Sequence, residues 1–241
     1  MPDRIKVLLL ASDPFAFENP LKLDHEARAV TEAIRKGRAR DSLDFVSEWA
    51  VRTGDLQHAL DWHRPQVVHF AGHASASEGI FLEGGDGSDR AVSPEALRGV
   101  FALSDSVRVV VLNACESLAT AEAFADVVDY TIGMNTVITD PAAALFAEAF
   151  YGALAMGRTV QDAFALGVNR LQIEGTGEAK TPTLHIRRGV DPTKPLIQPD
   201  TPPQPAPTQT ASGGAVTQNF GSNYGSIGSQ VQGGGYIIHN H

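Results

Sequence analysis

The sequence has one cysteine, few aromatic residues and no long hydrophobic run. A single cysteine among 241 residues excludes an internal disulfide, and no CxxC zinc or redox motif is present. A membrane-spanning helix needs an apolar run of about 18 residues or more, and the sequence contains none. It also lacks the pattern of a secretion signal. We therefore expect a cytoplasmic protein that makes no contact with a membrane.

Positive charge is scarce as well. The chain has 19 Lys and Arg residues against 28 Asp and Glu residues, which gives a formal net charge of -9. Surfaces that bind nucleic acid present clustered Lys and Arg to the phosphates. Nucleic acid is therefore not an expected partner.

Charged residues end at Asp200, and residues 201–241 contain no Asp, Glu, Lys or Arg. This change in composition predicts a folded domain at residues 1–190. It also predicts an extended, proline-rich linker at 191–215 that does not pack. A tail rich in Gly, Ser, Asn and Gln follows at 216–241.

Short apolar runs alternate with helical periods along most of the folded part. The alternation predicts an α/β fold with a mostly parallel sheet and helices on both faces. A hairpin is expected at residues 79–92, followed by a helix capped by Ser93. The other predicted strands lie at 5–11, 43–49, 66–70, 107–112 and 183–186, with a strand and turn at 131–139, and the other predicted helices lie at 24–38, 55–62, 119–128, 140–156 and 159–173.

Two of these strands deliver chemically active side chains into small-residue turns. The segments are QVVHFAGHAS, which leads to His73, and RVVVLNACESLAT, which leads to Cys115. Open α/β sheets place their chemistry at the carboxyl ends of the strands. A thiol and an imidazole there suggest a nucleophile and its acid–base partner. We expect the helix after Cys115 to point its N-terminal amides at the thiol.

A lone cysteine is more often a small buried hydrophobe, but small polar neighbours at 113–117 favour a functional role for Cys115. His69 lies four residues before His73, which raises a zinc alternative. Because His69 belongs to the strand and His73 to the loop, the two are not aligned as on a helix. We interpret His69 as a packed strand residue and expect no metal and no cofactor.

The motifs together resemble the CHAT branch of the caspase-like cysteine peptidases of clan CD. The resemblance covers about residues 5–186 and rests on LLLASDP, LDHEARAV, VVHFAGHA, VVVLNACES and the segment from DYTIGMN to TVQDAF. It implies a caspase-like fold, Cys115 as nucleophile and His73 as the general acid for the leaving amine. The backbone N–H groups of Cys115 and Ala74 would hold the oxyanion. The family usually has glycine in place of Ala74, and a positive φ there would cost alanine about 1 kcal/mol or more.

The resemblance also implies a substrate pocket near Asn113. Relatives that cleave after basic residues carry an acid two positions before the nucleophile, where this chain has the neutral Asn113. An amide cannot pair by charge with a substrate Lys or Arg. Asp140 is a candidate for the missing acid, although a helix cap before Pro141 explains it more simply. Glu116 is interpreted as a solvated loop residue.

The tail resembles the short amyloid signalling motifs of bacterial defence and cell-death proteins, in the style of the RIP homotypic interaction motif. Low charge, Asn and Gln ladders and spaced apolar residues without proline suit stacked cross-β structure. The alternative is a disordered glycine-rich tail. The candidate assembly residues are Asn219, Phe220, Tyr224, Ile227, Gln230, Val231 and Gln232.

Two functions follow from these patterns. The first is a caspase-like endopeptidase that cuts a protein substrate as an effector in bacterial defence or regulated cell death. An upstream sensor with a matching motif would template its tail, and self-assembly would activate it by raising the local concentration. The second is an inactive CHAT-like scaffold that recruits partners through the tail, and Ala74 motivates it.

Overall fold

The computed structural model of the protein describes residues 4–14, 20–86 and 88–197. The predicted tail at 216–241 and most of the predicted linker, including all seven assembly residues, lie outside the described residues. The bounds of the predicted domains therefore stay predictions, apart from the first residues of the linker, which are considered below.

Strands and helices alternate along the described chain as the apolar pattern predicts. The strands are β1 (Ile5–Ser12), β2 (Leu43–Trp49), β3 (Val67–Gly72), β4 (Ala74–Ser75), β5 (Gly79–Glu83), β6 (Asp89–Val92), β7 (Val109–Asn113), β8 (Tyr130–Met134) and β9 (Pro182–Ile186). The helices are α1 (Leu23–Arg35), α2 (Thr53–His63), α3 (Pro94–Ala102), α4 (Leu118–Ala123), α5 (Asp140–Ala155) and α6 (Val160–Ile173).

Six strands form the main sheet in the order β2-β1-β3-β7-β8-β9. The first five are parallel, and β9 pairs antiparallel with β8 at the edge. From β1 the chain first adds β2 on one side and then returns to add β3 on the other. The succession thus reverses between β1 and β3, and in open α/β sheets the crevice at such a reversal is where ligands bind.

Both faces of the sheet are covered, because the central strands are apolar in both directions. All six residues of β3 and all five of β7 are buried. On one face Val7, Val67 and Val109 pack with the apolar sides of α1, α5 and α6. On the other face Leu8, Val68 and Val110 pack with α2, α3 and α4. The predicted α/β class, with a mostly parallel sheet between helices, is confirmed.

A small antiparallel sheet follows β3 directly. It has the order β4-β5-β6, and its hairpin confirms the turn predicted at residues 79–92. Ser93 accepts a hydrogen bond at Oγ from the backbone N–H of Ala96 and caps α3 as predicted. Because β4 begins at Ala74, the residue after His73 is held in a strand.

Several element bounds differ from the sequence prediction, and two of the differences are informative. Helix α4 ends at Ala123, well before the predicted residue 128. The predicted linker begins too early, because Ile197 is 2% exposed within the core, where Leu196 also packs. Leu196 and Ile197 thus pack against the domain, in a segment that was predicted not to pack. None of the described helices is long and apolar enough to cross a membrane.

Gly72 ends β3 immediately before His73, and no larger residue fits there. A Cβ at this position would lie 2.4 Å from the carbonyl oxygen of Ser12 and 2.7 Å from Cζ of Phe70. We expect Gly72→Ala to lower the free energy of unfolding by about 1–3 kcal/mol, because two buried strands must move apart. Urea denaturation measures this change.

Gly99→Ala serves as the control for this prediction. Gly99 lies within α3, where an added Cβ meets nothing within 4 Å. Alanine there should raise the free energy of unfolding by about 0.5–1 kcal/mol through its helix propensity. Equal stability of Gly72→Ala and the wild-type protein would contradict the close approach of β1 and β3.

Candidate active site

The register of the sheet brings three polar side chains to one level. Ser12 pairs with Gly72 between β1 and β3, and Ala71 pairs with Asn113 between β3 and β7. The residues at the equivalent positions beyond these strands are Asp13, His73 and Cys115. A carboxylate, an imidazole and a thiol thus follow three neighbouring strands at the carboxyl edge of the sheet.

Asp13 holds the imidazole of His73. Nε2 of His73 lies 3.1 Å from Oδ1 of Asp13, and both side chains are mostly buried. Oδ2 of Asp13 accepts a hydrogen bond of 2.9 Å from the backbone N–H of Leu21, which orients the carboxylate. Sequence reasoning missed Asp13, because a Ser-Asp-Pro turn explains it without a function. The available signal was its place directly after a buried strand, the same place that His73 and Cys115 occupy.

Cys115 is half-buried at the end of β7, and its Sγ lies 3.6 Å from the carbonyl oxygen of Ile138. The next residue, Glu116, has a left-handed backbone with φ of +52°, and its N–H donates to the carbonyl oxygen of Thr136 at 3.2 Å. A left-handed conformation costs a non-glycine residue about 1–2 kcal/mol. The side chain of Glu116 is exposed, as predicted. The chain therefore turns sharply after the thiol.

The side chain of Ser117 also fixes the loop after the thiol. Oγ of this buried serine donates to the carbonyl oxygen of Leu112 at 2.8 Å and accepts from the N–H of Met134 at 3.0 Å. Helix α4 begins only at Leu118 and spans six residues. This short helix aligns fewer peptide dipoles toward the thiol than the predicted helix to residue 128 would.

Ala74 does not carry the conformational cost that the sequence suggested. Among the residues that the structure describes, the non-glycine residues with positive φ are Ala50, Arg64 and Glu116. Ala74 instead pairs with Ile80 in an antiparallel ladder. Alanine fits such a backbone as well as glycine does. The assignment of the Ala74 and Cys115 N–H groups to an oxyanion stays a prediction.

Asn113 lies at the bottom of the site, 4% exposed, and is bonded to two helices. Its Nδ2 donates to Oε1 of Glu26 on α1 and, at 3.1 Å, to the carbonyl oxygen of Ala143 in the first turn of α5. Sequence reasoning missed Glu26, because charges on α1 were expected to face solvent. The sequence feature that could have predicted its burial is the helical spacing to Val30 and Ile34, which places Glu26 on the apolar face of α1.

His69 continues the buried hydrogen-bond network. Its Nε2 lies 2.7 Å from Oε1 of Glu26, and its Nδ1 lies 3.0 Å from the hydroxyl of Tyr151 on α5. Burial first, and the negative charge of Glu26 second, raise the pKa of Tyr151 well above its ordinary value. The hydroxyl therefore keeps its proton and can donate it to the imidazole.

These contacts bear directly on the zinc alternative. Both ring nitrogens of His69 have protein partners, so its interpretation as a packed strand residue is confirmed. In the described parts of the chain, no group of three or more His, Cys, Asp or Glu side chains is arranged to hold a metal ion.

Asp140 is not the helix cap that the sequence suggested. Thr139 caps α5, with Oγ1 accepting from the N–H of Ala142 at 3.4 Å, and Asp140 is the first helical residue. A carboxylate oxygen of Asp140 accepts a 3.0 Å hydrogen bond from the N–H of Lys22, just before α1. The hydroxyl of Thr139, on an extended backbone, takes the capping position instead. A role of Asp140 in the substrate pocket stays a prediction.

Comparisons with known proteins agree on one family. A family model described as "CHAT domain" matches residues 9–173. A protein named "Roc-COR-CHAT protease", from an unknown prokaryotic organism, is 25% identical over an alignment of 154 residues, and the match covers 61% of this chain and 14% of that protein. A "Probable protease" of Gillisia limnaea (strain DSM 15749 / LMG 21470 / R-8282) is 25% identical over an alignment of 157 residues, and the match covers 63% of this chain and 27% of that protein. The match thus spans less than a third of either relative.

Two solved structures are similar in fold. The Arg-specific cysteine proteinase gingipain R superimposes with a TM-score of 0.54 at 12% identity, over 80% of this chain and 48% of that chain. A secreted C11 cysteine protease from Bacteroides thetaiotaomicron, in complex with an irreversible peptide inhibitor, gives a TM-score of 0.50 at 12% identity, over 75% and 66%. The predicted caspase-like fold is confirmed.

The buried network predicts a stability effect at Tyr151. Removing its hydroxyl leaves Nδ1 of His69 without its partner, so we expect Tyr151→Phe to lower the free energy of unfolding by about 1–3 kcal/mol. Tyr130→Phe is the matched control, because its hydroxyl makes only a 3.4 Å contact with the carbonyl oxygen of Asp191. Urea denaturation should show the larger loss for Tyr151→Phe, and equal losses would contradict a strong bond to His69.

Proposed function

The chain belongs to the CHAT domain family, whose model matches residues 9–173, and on that basis we propose that it is a cysteine endopeptidase. Cys115 is the nucleophile and His73 the general acid–base group in this proposal. The observation that carries it is the row of Asp13, His73 and Cys115 at equivalent positions beyond three paired strands. The protease names of the two relatives support the same reaction class.

The proposed reaction has two steps at one carbonyl carbon. The thiolate of Cys115 attacks the carbonyl, and the N–H groups of Ala74 and Cys115 stabilise the resulting oxyanion. His73 protonates the leaving amine, so that the C–N bond breaks and a thioester remains. Water, deprotonated by His73, then releases the acid product and regenerates the thiol.

Asp13 acts on this reaction through His73. In this proposal Asp13 holds Nε2 of the imidazole at 3.1 Å, while His73 exchanges a proton with substrate and thiol. The N–H of Leu21 fixes the carboxylate in turn. An imidazole held in one orientation loses less entropy on reaching the transition state. Asp13 is therefore a positioning residue.

We further propose that the tail controls this activity in bacterial defence or regulated cell death. Residues 216–241 would assemble with a matching segment of an upstream sensor, and clustering would bring copies of the domain together. The gain in activity comes from the higher effective concentration of the domain and needs no new contact within it. The uncharged, glycine-, asparagine- and glutamine-rich composition of the tail supports this proposal.

The scaffold alternative has lost its specific motivation. It was based on a strained backbone at Ala74, and Ala74 is not among the described non-glycine residues with positive φ. A site of three chemically active groups at one sheet edge is also more than a scaffold needs. We therefore favour the peptidase.

Single substitutions test the peptidase directly. Cys115→Ala removes the nucleophile and should lower kcat/KM for a cleaved peptide by at least about 10³-fold. His73→Ala should lower it by about 10²–10⁴-fold, and Asp13→Asn by less, because asparagine keeps an acceptor oxygen. His58→Ala, at an exposed position on α2, is the matched control and should leave the rate unchanged. Cleavage that persists in Cys115→Ala would refute the assignment.

A second experiment tests the tail separately from the chemistry. Ile227→Asp should suppress assembly, because in-register stacking would set identical negative charges about 4.8 Å apart. Gln204→Asp adds the same charge in the predicted linker and should leave assembly unchanged, as should Cys115→Ala. Sedimentation and thioflavin fluorescence of the full chain measure the assembled fraction. Unaltered assembly of Ile227→Asp would contradict a stacked tail.

A further inference from the structure

Both tryptophans of the chain are exposed, and both line one cavity at the edge of the main sheet. Trp49, the last residue of β2, is 48% exposed, and Trp62, near the end of α2, is 74% exposed. Tryptophan is highly buried on average, and tryptophan at a surface is enriched where partners bind. The two rings therefore present apolar area that a ligand would cover.

The cavity lies between β2 and α2 and has a volume of about 280 Å³. The buried side chains of Val51 and Ala59 add apolar surface to its lining. Cavities that bind drug-sized molecules measure about 300–1,000 Å³. The volume lies just below that range, so it suits a single long side chain of a partner.

Two carboxylates line the same cavity. Glu48 comes from β2 and Asp55 from the first turn of α2, and both are exposed. Oε1 of Glu48 lies 2.9 Å from Nε2 of His63, and Oδ2 of Asp55 accepts a 3.0 Å hydrogen bond from the backbone N–H of Arg52. The lining residues that the structure describes include neither Lys nor Arg. Aromatic faces and carboxylates both attract a cation, so the cavity favours a positively charged ligand.

The cavity is separate from the proposed active site but lies at the same edge of the sheet. Trp49 pairs with Ala11 of β1, and Ala11 pairs with Ala71 of β3. Because neighbouring strands lie about 4.8 Å apart, Trp49 is about 10 Å from β3, on the side away from Cys115. β2 is the outermost strand of the main sheet. An extended segment of a partner can therefore approach along its edge.

We propose that this cavity binds an arginine side chain presented by an extended segment of a partner protein. A guanidinium is planar and weakly hydrated, so it stacks on an indole ring more readily than an ammonium does. Trp49 and Trp62 provide the stacking surfaces, and Glu48 and Asp55 accept the N–H donors. Binding is independent of the peptidase function, because the cavity contains none of the three side chains of the proposed active site.

The first test uses the tryptophans as reporters, since the chain has only these two. The dispersed fraction of the full chain, carrying Cys115→Ala to remove the proposed nucleophile, is titrated with the peptide acetyl-Gly-Gly-Arg-Gly-Gly-amide. We expect a saturable change in tryptophan emission. The same peptide with the planar but neutral citrulline in place of arginine should bind at least about fivefold more weakly. No saturable change, or equal affinity for the two peptides, would overturn the proposal.

The second test assigns the binding to the cavity. Because Trp62 is exposed, Trp62→Ala should leave the fold intact and lower the affinity for the arginine peptide at least about tenfold, measured by isothermal titration calorimetry. Leu103→Ala is the matched control, since Leu103 is 85% exposed and lies outside the cavity. It should leave the affinity within twofold. Equal losses in the two variants would contradict the assignment.

The contribution of charge is tested in the same assay. Glu48→Gln removes a charge from the cavity and keeps the size of the side chain, so we expect the affinity for the arginine peptide to fall at least about threefold. Asp61→Asn removes an exposed charge from α2 outside the cavity and should leave the affinity within twofold. Equal effects would mean that the net charge of the chain, and not this cavity, attracts the peptide.

Two other ligands would give a different result. Choline that binds more tightly than the arginine peptide would assign the cavity to a free quaternary ammonium ion. Maltose that binds saturably in place of the peptide would assign it to a sugar, since sugar rings also stack on tryptophan. Either result would overturn the assignment to an arginine side chain.

Discussion

The pairing of three parallel strands in one register is the constraint on which the site depends. Asp13, His73 and Cys115 come from distant parts of the chain and meet only because β1, β3 and β7 are aligned as they are. A slip by one residue would turn each strand's side chains to the opposite face. Since the residues of β3 and β7 are buried on both faces, such a slip would require repacking both halves of the core. The two hydrophobic layers thus set the geometry of the polar edge.

Much of this arrangement is readable from the sequence, because apolar runs identify central strands and their ends identify the chemistry. His73 and Cys115 were found in this way. Asp13 was not, since an aspartate before proline satisfies local turn preferences and only the sheet shows that it meets His73. Glu26 was missed for a different reason. Helical periodicity assigns charged residues to the solvent face, and a carboxylate can be buried only where tertiary hydrogen-bond partners meet it. The packing of residues 191–197 likewise depends on the apolar surface of the folded domain, which the proline content of the segment does not reveal.

The polar network below the site connects elements that hydrophobic packing alone would leave free to slide. Glu26 and Tyr151 come from two helices, while His69 and Asn113 come from two strands, and each hydrogen bond crosses between a helix and the sheet. Apolar contacts are not directional, whereas hydrogen bonds are. The network therefore fixes the rotation and height of α1 and α5 over the sheet, and with them the loop that contacts Cys115.

The left-handed backbone at Glu116 limits which residues fit at this position, although the side chain is exposed. Glycine, asparagine and aspartate accept φ near +52°, whereas valine, isoleucine and threonine do so only with strain. Tolerance at this position is therefore governed by the main chain and not by charge or contact with solvent. In a comparison of natural or randomised sequences, the residue after the thiol would report the shape of the turn, and its own side chain would be incidental.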